Sequence, residues 1–525
     1  MGLAFSGGIY VVFRMLFRPL TRLLLCSALT WTLHAAVSLP SDGTAALPAS
    51  VEGPAKEAMD AFQAGRHAKA VELATPLAEA GNAEAMYLMG FAHESGQGAE
   101  GSKDKALEYY RKAAAAKHKD AIYRMSFILL ASEKEEERDQ AREALETAAK
   151  DDPAVAARIL GEAYLRGRLT PAPDPDKAVF WWKRAADAGD IPSVLLIARF
   201  YEGQFGFPEL KDAKEAHANY AKAAGFGDAG AMAALGSRLL SGDEALRDEK
   251  KGREWLKKAI EAKEYSAYLA LGDFEENVKK DLKAALAEYE RGKDVEQMDC
   301  TLRTADFYIE GKGVEKDEAR GFALLKKAAE AGSPIASFRL AVQALSGEKP
   351  DLLVGYGHLL AAANGNLVEA QNELGLLYIS GKLAVADSAA GTAWLTRAAQ
   401  NGYAQAQNNL ATLFERGAGV AQSIENAGQL YSLAANQGHG PATLALARLI
   451  RDGIGTKPDP LKAWALATLA EERGEKEARK MITEISSTLD DKQMAAAKKE
   501  LEDLKSGKSG EAKPAADAAA PAKQD

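Results

Sequence analysis

Few residues in this chain have types and spacings that could do chemistry. Its seven histidines, His34, His67, His93, His118, His217, His358 and His439, are scattered, with no HxH or HExxH pair. Without two imidazoles on one helix face, no metal site is expected. No G-x-S-x-G, no P-loop and no glycine-rich dinucleotide motif occurs, so no nucleophile elbow, phosphate cradle or cofactor is expected. Carboxylates are abundant, but none is set apart by its neighbours. What stands out is VFWWKRAADAGD (179–190), where Trp181 and Trp182 are adjacent. Adjacent indoles could stack on a sugar ring, or they could be ordinary packing.

The elements that hold these residues decide between the two. A chain of 525 residues is too long for one ordinary core, which leaves two to four domains or a repeat array. The composition is globular: 47% hydrophobic and 27% charged. Formal net charge is −9. No basic stripe is present to neutralise phosphates, so nucleic acid is excluded as a partner class.

Self-comparison resolves the question of domains. Taking Ala85 as position zero, the matching residues are Ala121, Ala156, Ser193, Ala231, Ala267, Cys300, Ala336, Ala370, Ala406, Ala442 and Ala478, spaced 33 to 38 apart. Five residues on lies a second small column that includes Gly90, Gly161, Gly236, Gly272 and Gly375. Glycine inside a helix costs about 1 kcal/mol against alanine. Its recurrence therefore predicts close approach of another helix. Positions 0, 4, 5 and 8 share one helical face, which defines a helix A. Glycine turns such as SGQG (95–98) and EGKG (310–313) end it. Asp104, Asp139, Asp176 and Asp317, each two residues before an aligned Ala (Ala106, Ala141, Ala178, Ala319), are expected to cap a helix B. Helix B ends at a double alanine followed by Gly189, Gly332, Gly402 or Gly438, where the chain needs positive φ. One such pair cannot bury its apolar face alone. The expected fold is all-α, a right-handed solenoid of about 11–12 stacked antiparallel helix pairs.

The segments AEAMYLMGFAHESGQGAEGSKDKALEYYRKAAAAKHK (83–119) and EAQNELGLLYISGKLAVADSAAGTAWLTRAAQNG (369–402) resemble Sel1-like repeats, relatives of tetratricopeptide repeats. The resemblance covers roughly 83–480, with 121–152 and 265–297 departing most. It implies a non-enzymatic adaptor that binds partner proteins along helix A, and exported relatives include cell-envelope and exopolysaccharide-export scaffolds. Some relatives are linked to β-lactam hydrolysis and carry a cysteine pair in each repeat, which this chain lacks.

The N-terminus reads as a secretory signal peptide over 1–38. Arg14, Arg18 and Arg22 precede a short apolar run, with cleavage expected after Ala36 or Ser38 and Met15 as an alternative start. Leu25 stands where a lipobox before Cys26 wants a small residue, so a lipoprotein is disfavoured. Cleavage removes three Arg and no acid, taking the formal charge from −9 to −12. Cys300 is then the sole cysteine, and no N-x-[ST] sequon occurs. These features suggest a periplasmic or secreted chain with no stable membrane span. The remaining plan is a linker (39–54), a tetratricopeptide-like helix pair (55–82), the repeat solenoid (83–483), a capping helix (484–505) and a disordered Ala/Pro/Lys tail (506–525).

Function is expected where the copies disagree. Positions three and six of helix A lie on one face and lack the uniformity of the packing columns. Arg199, Arg303, Asp306, Arg339, Glu373, Asn409 and Arg448 are the candidate protein-binding residues of a concave groove. Phe91 and Phe127, adjacent along the stack, could add an apolar patch. The alternative is a protein that binds or processes cell-wall or exopolysaccharide glycan, through convergent carboxylates or exposed aromatics. Against it, Trp181 aligns with Tyr109, Asn219, Trp255, Leu324, Trp394 and Leu430, and Trp182 with Tyr110, Tyr220, Leu256, Leu325, Leu395 and Tyr431, both columns large and mainly apolar. Both are packing columns. Residues 100° apart on a helix should let one tryptophan pack on its own helix A and the other on the next repeat.

Overall fold

A computed structural model of the chain describes residues 53–346, 349–382 and 386–506. The signal-peptide reading (1–38), nearly all of the linker and the tail from 507 lie outside the described residues. The chain divides between Asp281 and Leu282 into two compact units. Among the described residues there are 26 α-helices and no strand.

The first unit holds α1 (Lys56–Gln63), α2 (His67–Glu79), α3 (Ala83–Ser95), α4 (Lys103–Ala115), α5 (Lys119–Leu130), α6 (Glu135–Asp151), α7 (Pro153–Leu165), α8 (Pro175–Asp187), α9 (Ile191–Tyr201), α10 (Ala213–Gly225), α11 (Ala229–Ser241), α12 (Glu249–Glu261) and α13 (Ser266–Phe274). The second holds α14 (Leu282–Asp294), α15 (Met298–Glu310), α16 (Glu318–Glu330), α17 (Pro334–Leu345), α18 (Leu352–Asn364), α19 (Val368–Ser380), α20 (Ser388–Gln400), α21 (Ala404–Arg416), α22 (Ile424–Asn436), α23 (Gly440–Asp452), α24 (Pro460–Glu472), α25 (Ala478–Ser486) and α26 (Asp491–Lys505). Within each unit a helix A packs on the helix B that follows, and that helix B packs on the next helix A. Each unit is thus an α-solenoid of stacked helix pairs.

The zero column is the spine of both units. All twelve of its residues, from Ala85 to Ala478, are at most 1% exposed. The second column is explained by contact. A Cβ built on Gly90 would stand 2.5 Å from Tyr110 Cε1, and one on Gly236 would stand 2.6 Å from Leu256 Cγ. Helix B answers with its own small column. On Gly252 a Cβ would lie 3.0 Å from the Gly236 carbonyl oxygen, and on Gly391 it would lie 2.7 Å from that of Gly375. The two backbones meet there, so neither helix tolerates bulk.

Helix B capping differs from expectation. The cap lies four residues before the small column, not two. Ser102 accepts from Lys105 N and Asp174 from Lys177 N, while Asp104 and Asp176 sit inside the first turn. Lys134 precedes α6 with no side-chain cap, so Asp139 is not one. Asp317 does cap α16, but the small residue it serves is Gly321, not Ala319. An N-cap side chain reaches the N–H two or three residues on, and that places the helix start further upstream. The stops agree with expectation: Gly189, Gly332, Gly402 and Gly438 have φ between 82° and 89°.

The irregular stretches have causes. Residues 121–152 form a normal helix pair, α5 and α6, joined by a tight connection without a glycine turn. After α13 the chain instead makes a π turn (Glu275–Lys279) and a left-handed Lys280 before the unit boundary. The C-terminal capping segment is two helices, not one over 484–505. Residues 487–490 break it, and Asp490 with Gln493 forms a capping box for α26. Trp464, Met481, Ile485 and Leu501 close that end. Among the described residues no helix is long and apolar enough to cross a membrane.

Candidate functional site

Trp182 is wholly buried. Its indole lies against Gly161 of its own helix A, α7, and edge-on to Phe200 of α9 at 6.3 Å. The single ring therefore fills both contacts that the pair was expected to share. Trp181 is half-buried, with the Arg184 guanidinium 5.2 Å from its ring centroid. The two indoles do not form a platform. Phe91 and Phe127 do not form an open patch either. Phe91 is buried edge-on against Phe62 at 5.5 Å, and Arg124 covers its ring at 4.7 Å.

Two histidines are structural. His118 and His439 cap α5 and α23 through Nδ1, which accepts from Ala121 N and Ala442 N. Among the described residues no three His, Cys, Asp or Glu side chains converge as a metal site. Cys300 is buried in the zero column.

The seven candidate residues sit along the A helices, and most are half-buried. Arg199, in the last turn of α9, is exposed. Arg339 of α17 donates to Asp306 of α15 at 2.6 Å. Burial pushes the Asp306 carboxyl above its ordinary range, with Arg339 and Arg303 pulling it back. Asn409 of α21 donates to Asn372 of α19 at 2.9 Å. Arg448 of α23 donates to Glu415 of α21 at 2.5 Å. Glu373 accepts from Asn372 at 3.0 Å, and burial pushes its carboxyl up. Four of the seven thus take part in bonds that tie one helix A to the next: Asp306, Arg339, Asn409 and Arg448.

A recurrent clasp underlies this. The Tyr431 hydroxyl donates to Glu415 at 2.8 Å, so Glu415 ties its own helix B and the next helix A together. Tyr110–Glu94–Arg124 repeats the arrangement at 2.5 and 3.1 Å. Tyr220–Glu202–Arg238 repeats it again. Burial raises the tyrosine hydroxyls, Tyr431 to about 12, so they remain donors at neutral pH. Column pairing carried this signal. Where helix B has Tyr110, Tyr220 or Tyr431, helix A has Glu94, Glu202 or Glu415 nine residues past zero; where it has Trp182, Leu256, Leu325 or Leu395, helix A has Leu165, Leu240, Ile309 or Ile379.

A second, uncharged network crosses α19, α21 and α23. His439 Nδ1 is an acceptor, so Nε2 carries the proton and donates to Gln405 Oε1 at 3.0 Å. Gln405 Nε2 donates to Asn409 Oδ1 at 3.2 Å, Asn409 to Asn372, and Asn372 to Glu373. Four donors run in one direction and end on a carboxylate.

The family comparison bears on this array directly. The Sel1 repeat model matches residues 83–118, 154–190, 195–225, 229–263, 299–333, 368–403, 404–439 and 440–475, more than half of the chain. The chain belongs to the Sel1 repeat family. Sel1-repeat proteins generally mediate protein–protein interaction, and the fold is typically a non-catalytic scaffold. The clasps and the carboxamide network are therefore features of Sel1 repeats and the α5/α6 pair between them. No curated protein matches the chain. Among solved structures it is similar to a protective antigen of uropathogenic Escherichia coli strains with an SLR fold, at 22% identity over 83% of this chain and 94% of that one, TM-score 0.35. It is also similar to a Sel1 repeat protein from Oxalobacter formigenes, at 23% identity over 44% and 94%, TM-score 0.38. A third is an immunity protein from Pseudomonas aeruginosa, at 22% identity over 39% and 75%, TM-score 0.26.

Proposed function

We propose that this Sel1-repeat protein is a non-enzymatic scaffold of the cell envelope, exported to the periplasm, that holds partner proteins along its A-helix face. The observation that carries the reading is that face itself. In each unit it is largely half-buried and varies from copy to copy, and Asp306, Arg339, Asn409 and Arg448 are held by bonds between repeats. Side chains already ordered lose little entropy on binding, and several moderate contacts along a row suit a protein surface or an extended segment. The N-terminal residues support export. Partners are expected among envelope or polysaccharide-export components.

The test is quantitative affinity purification from an envelope fraction, comparing wild type with Arg199→Glu. Arg199 is exposed, so its reversal should leave the melting temperature unchanged and lower partner recovery. A stable protein partner supports the scaffold. Recovery of muropeptides or glycan with no protein would overturn it.

A further inference from the structure

The acids of the A-helix face are not all treated alike. Glu94, Glu202, Asp306 and Glu415 each take a bond from an arginine on the next helix A. Glu373 does not. Its one hydrogen bond is from the neutral Asn372 amide, on Oε1. Among the described residues it makes no ion pair, and burial pushes its carboxyl up. Tyr403 lies within the field of both Glu373 and Glu369, one helical turn apart, and its hydroxyl is raised by burial and by both carboxylates. A carboxylate in a partly desolvated place without a cation is costly to keep ionised unless something supplies one.

Beside it lies the carboxamide network. Gln405 and Asn409 are half-buried. Each uses one N–H and its carbonyl within the network, and an NH₂ group has two donors. The second N–H of each is therefore left over from the network. Such an N–H suits the backbone carbonyl of an extended peptide, an acceptor. At the far end, the same face carries an open depression of about 590 Å³ between α23 and α25, lined by Leu444, Ala445, Arg448, Lys480, Met481 and Glu484.

We infer that the face of α19, α21 and α23 reads the main chain of an extended peptide segment of a partner protein and places a basic side chain of that segment against Glu373. Charge complementarity selects the occupant. The face offers the amides of Gln405 and Asn409 and, at Glu373, an acid that no arginine of the next helix A clasps, so a Lys or Arg next to an extended backbone satisfies both. The depression at α23/α25 then accommodates a side chain further along. This deepens the scaffold reading and rests on it.

The test uses random dodecapeptides displayed on phage and panned on the purified full chain. Selected peptides should share a Lys or Arg at one position. Their affinity should fall about tenfold or more on Glu373→Gln, since a hydrogen bond to a charged group is worth about 1.5–3 kcal/mol. Thioamide replacement of the selected peptide's backbone carbonyl beside that basic residue, which weakens the acceptor those N–H groups would meet, should lower affinity as well, as should Asn409→Ala. Glu373→Gln should melt no lower than wild type, which separates lost binding from lost fold. No binders, no basic preference, or indifference to Glu373→Gln or to the thioamide replacement would each overturn the inference. If an envelope partner is still retained by the Glu373→Gln and Asn409→Ala double variant, the scaffold stands and this face is not its peptide site.

Discussion

The Trp182 indole stands where a side chain on Gly161 would be: a Cβ built there falls 2.4 Å from Cδ1. Glycine in mid-helix is disfavoured by about 1 kcal/mol relative to alanine, yet Gly161→Ala should destabilise. Overpacking in a close-packed core costs about 1–3 kcal/mol, and here the ring is wedged between α7 and α9. Thermal melting checks this, and an equal or higher melting temperature would contradict the contact.

Ala406→Leu tests the zero column in the same way. Ala406 is fully buried, and three extra carbons should cost about 1–3 kcal/mol. An unchanged midpoint in urea would refute the register of the array.

Tyr431→Phe removes the donor to Glu415 but leaves Arg448 in place. The expected loss is about 0.5–1.5 kcal/mol, the net worth of one hydrogen bond. Arg448→Met should cost more, because Glu415 loses its cation. A double variant less destabilised than the sum of the two would show the clasp acting as one unit.

Asp306 and Arg339 should be coupled likewise. Arg339→Ala leaves a partly buried carboxylate without its strongest donor, at a cost of about 1–3 kcal/mol. Adding Asp306→Ala should recover part of that loss. Strict additivity in denaturant titrations would show that the pair contributes nothing.

Glu373 yields a pH prediction. Burial raises its carboxyl in the folded chain, so the folded state binds the proton more tightly than the unfolded one. Its ionisation therefore penalises folding above the raised folded value, and the penalty fades as pH falls to the ordinary carboxylate range. Glu373→Gln removes the penalty. The variant should melt higher than wild type at pH 7, and the two should converge towards pH 4. A gap independent of pH would exclude ionisation as its cause.

The array, its period and its two small columns are legible in the sequence, because helix packing repeats the same steric demand in every copy. The column pairing of Tyr with Glu was legible too, once helix B is aligned against helix A. Other features were not. The helix B caps are set by where the first turn closes, and a two-residue shift in an Asp-rich turn leaves the pattern unchanged. Nor were the π turn at Glu275–Lys279 and the left-handed Lys280 that follow α13, neither of which has a distinct composition.

Sequence alone determined an α-solenoid of 33 to 38-residue helix pairs, since a pair that cannot bury its recurring apolar face alone stacks on the next. It also picked out the A-helix face by its variability. Only the tertiary structure decided what the charges on that face do. Asp306 and Arg339 lie 33 residues apart in the chain and 2.6 Å apart in space, while Glu373 has no such partner. A side chain's partners come from the next copy in the stack, and which copies bring opposite charges together depends on three-dimensional distance, which spacing along one chain does not encode.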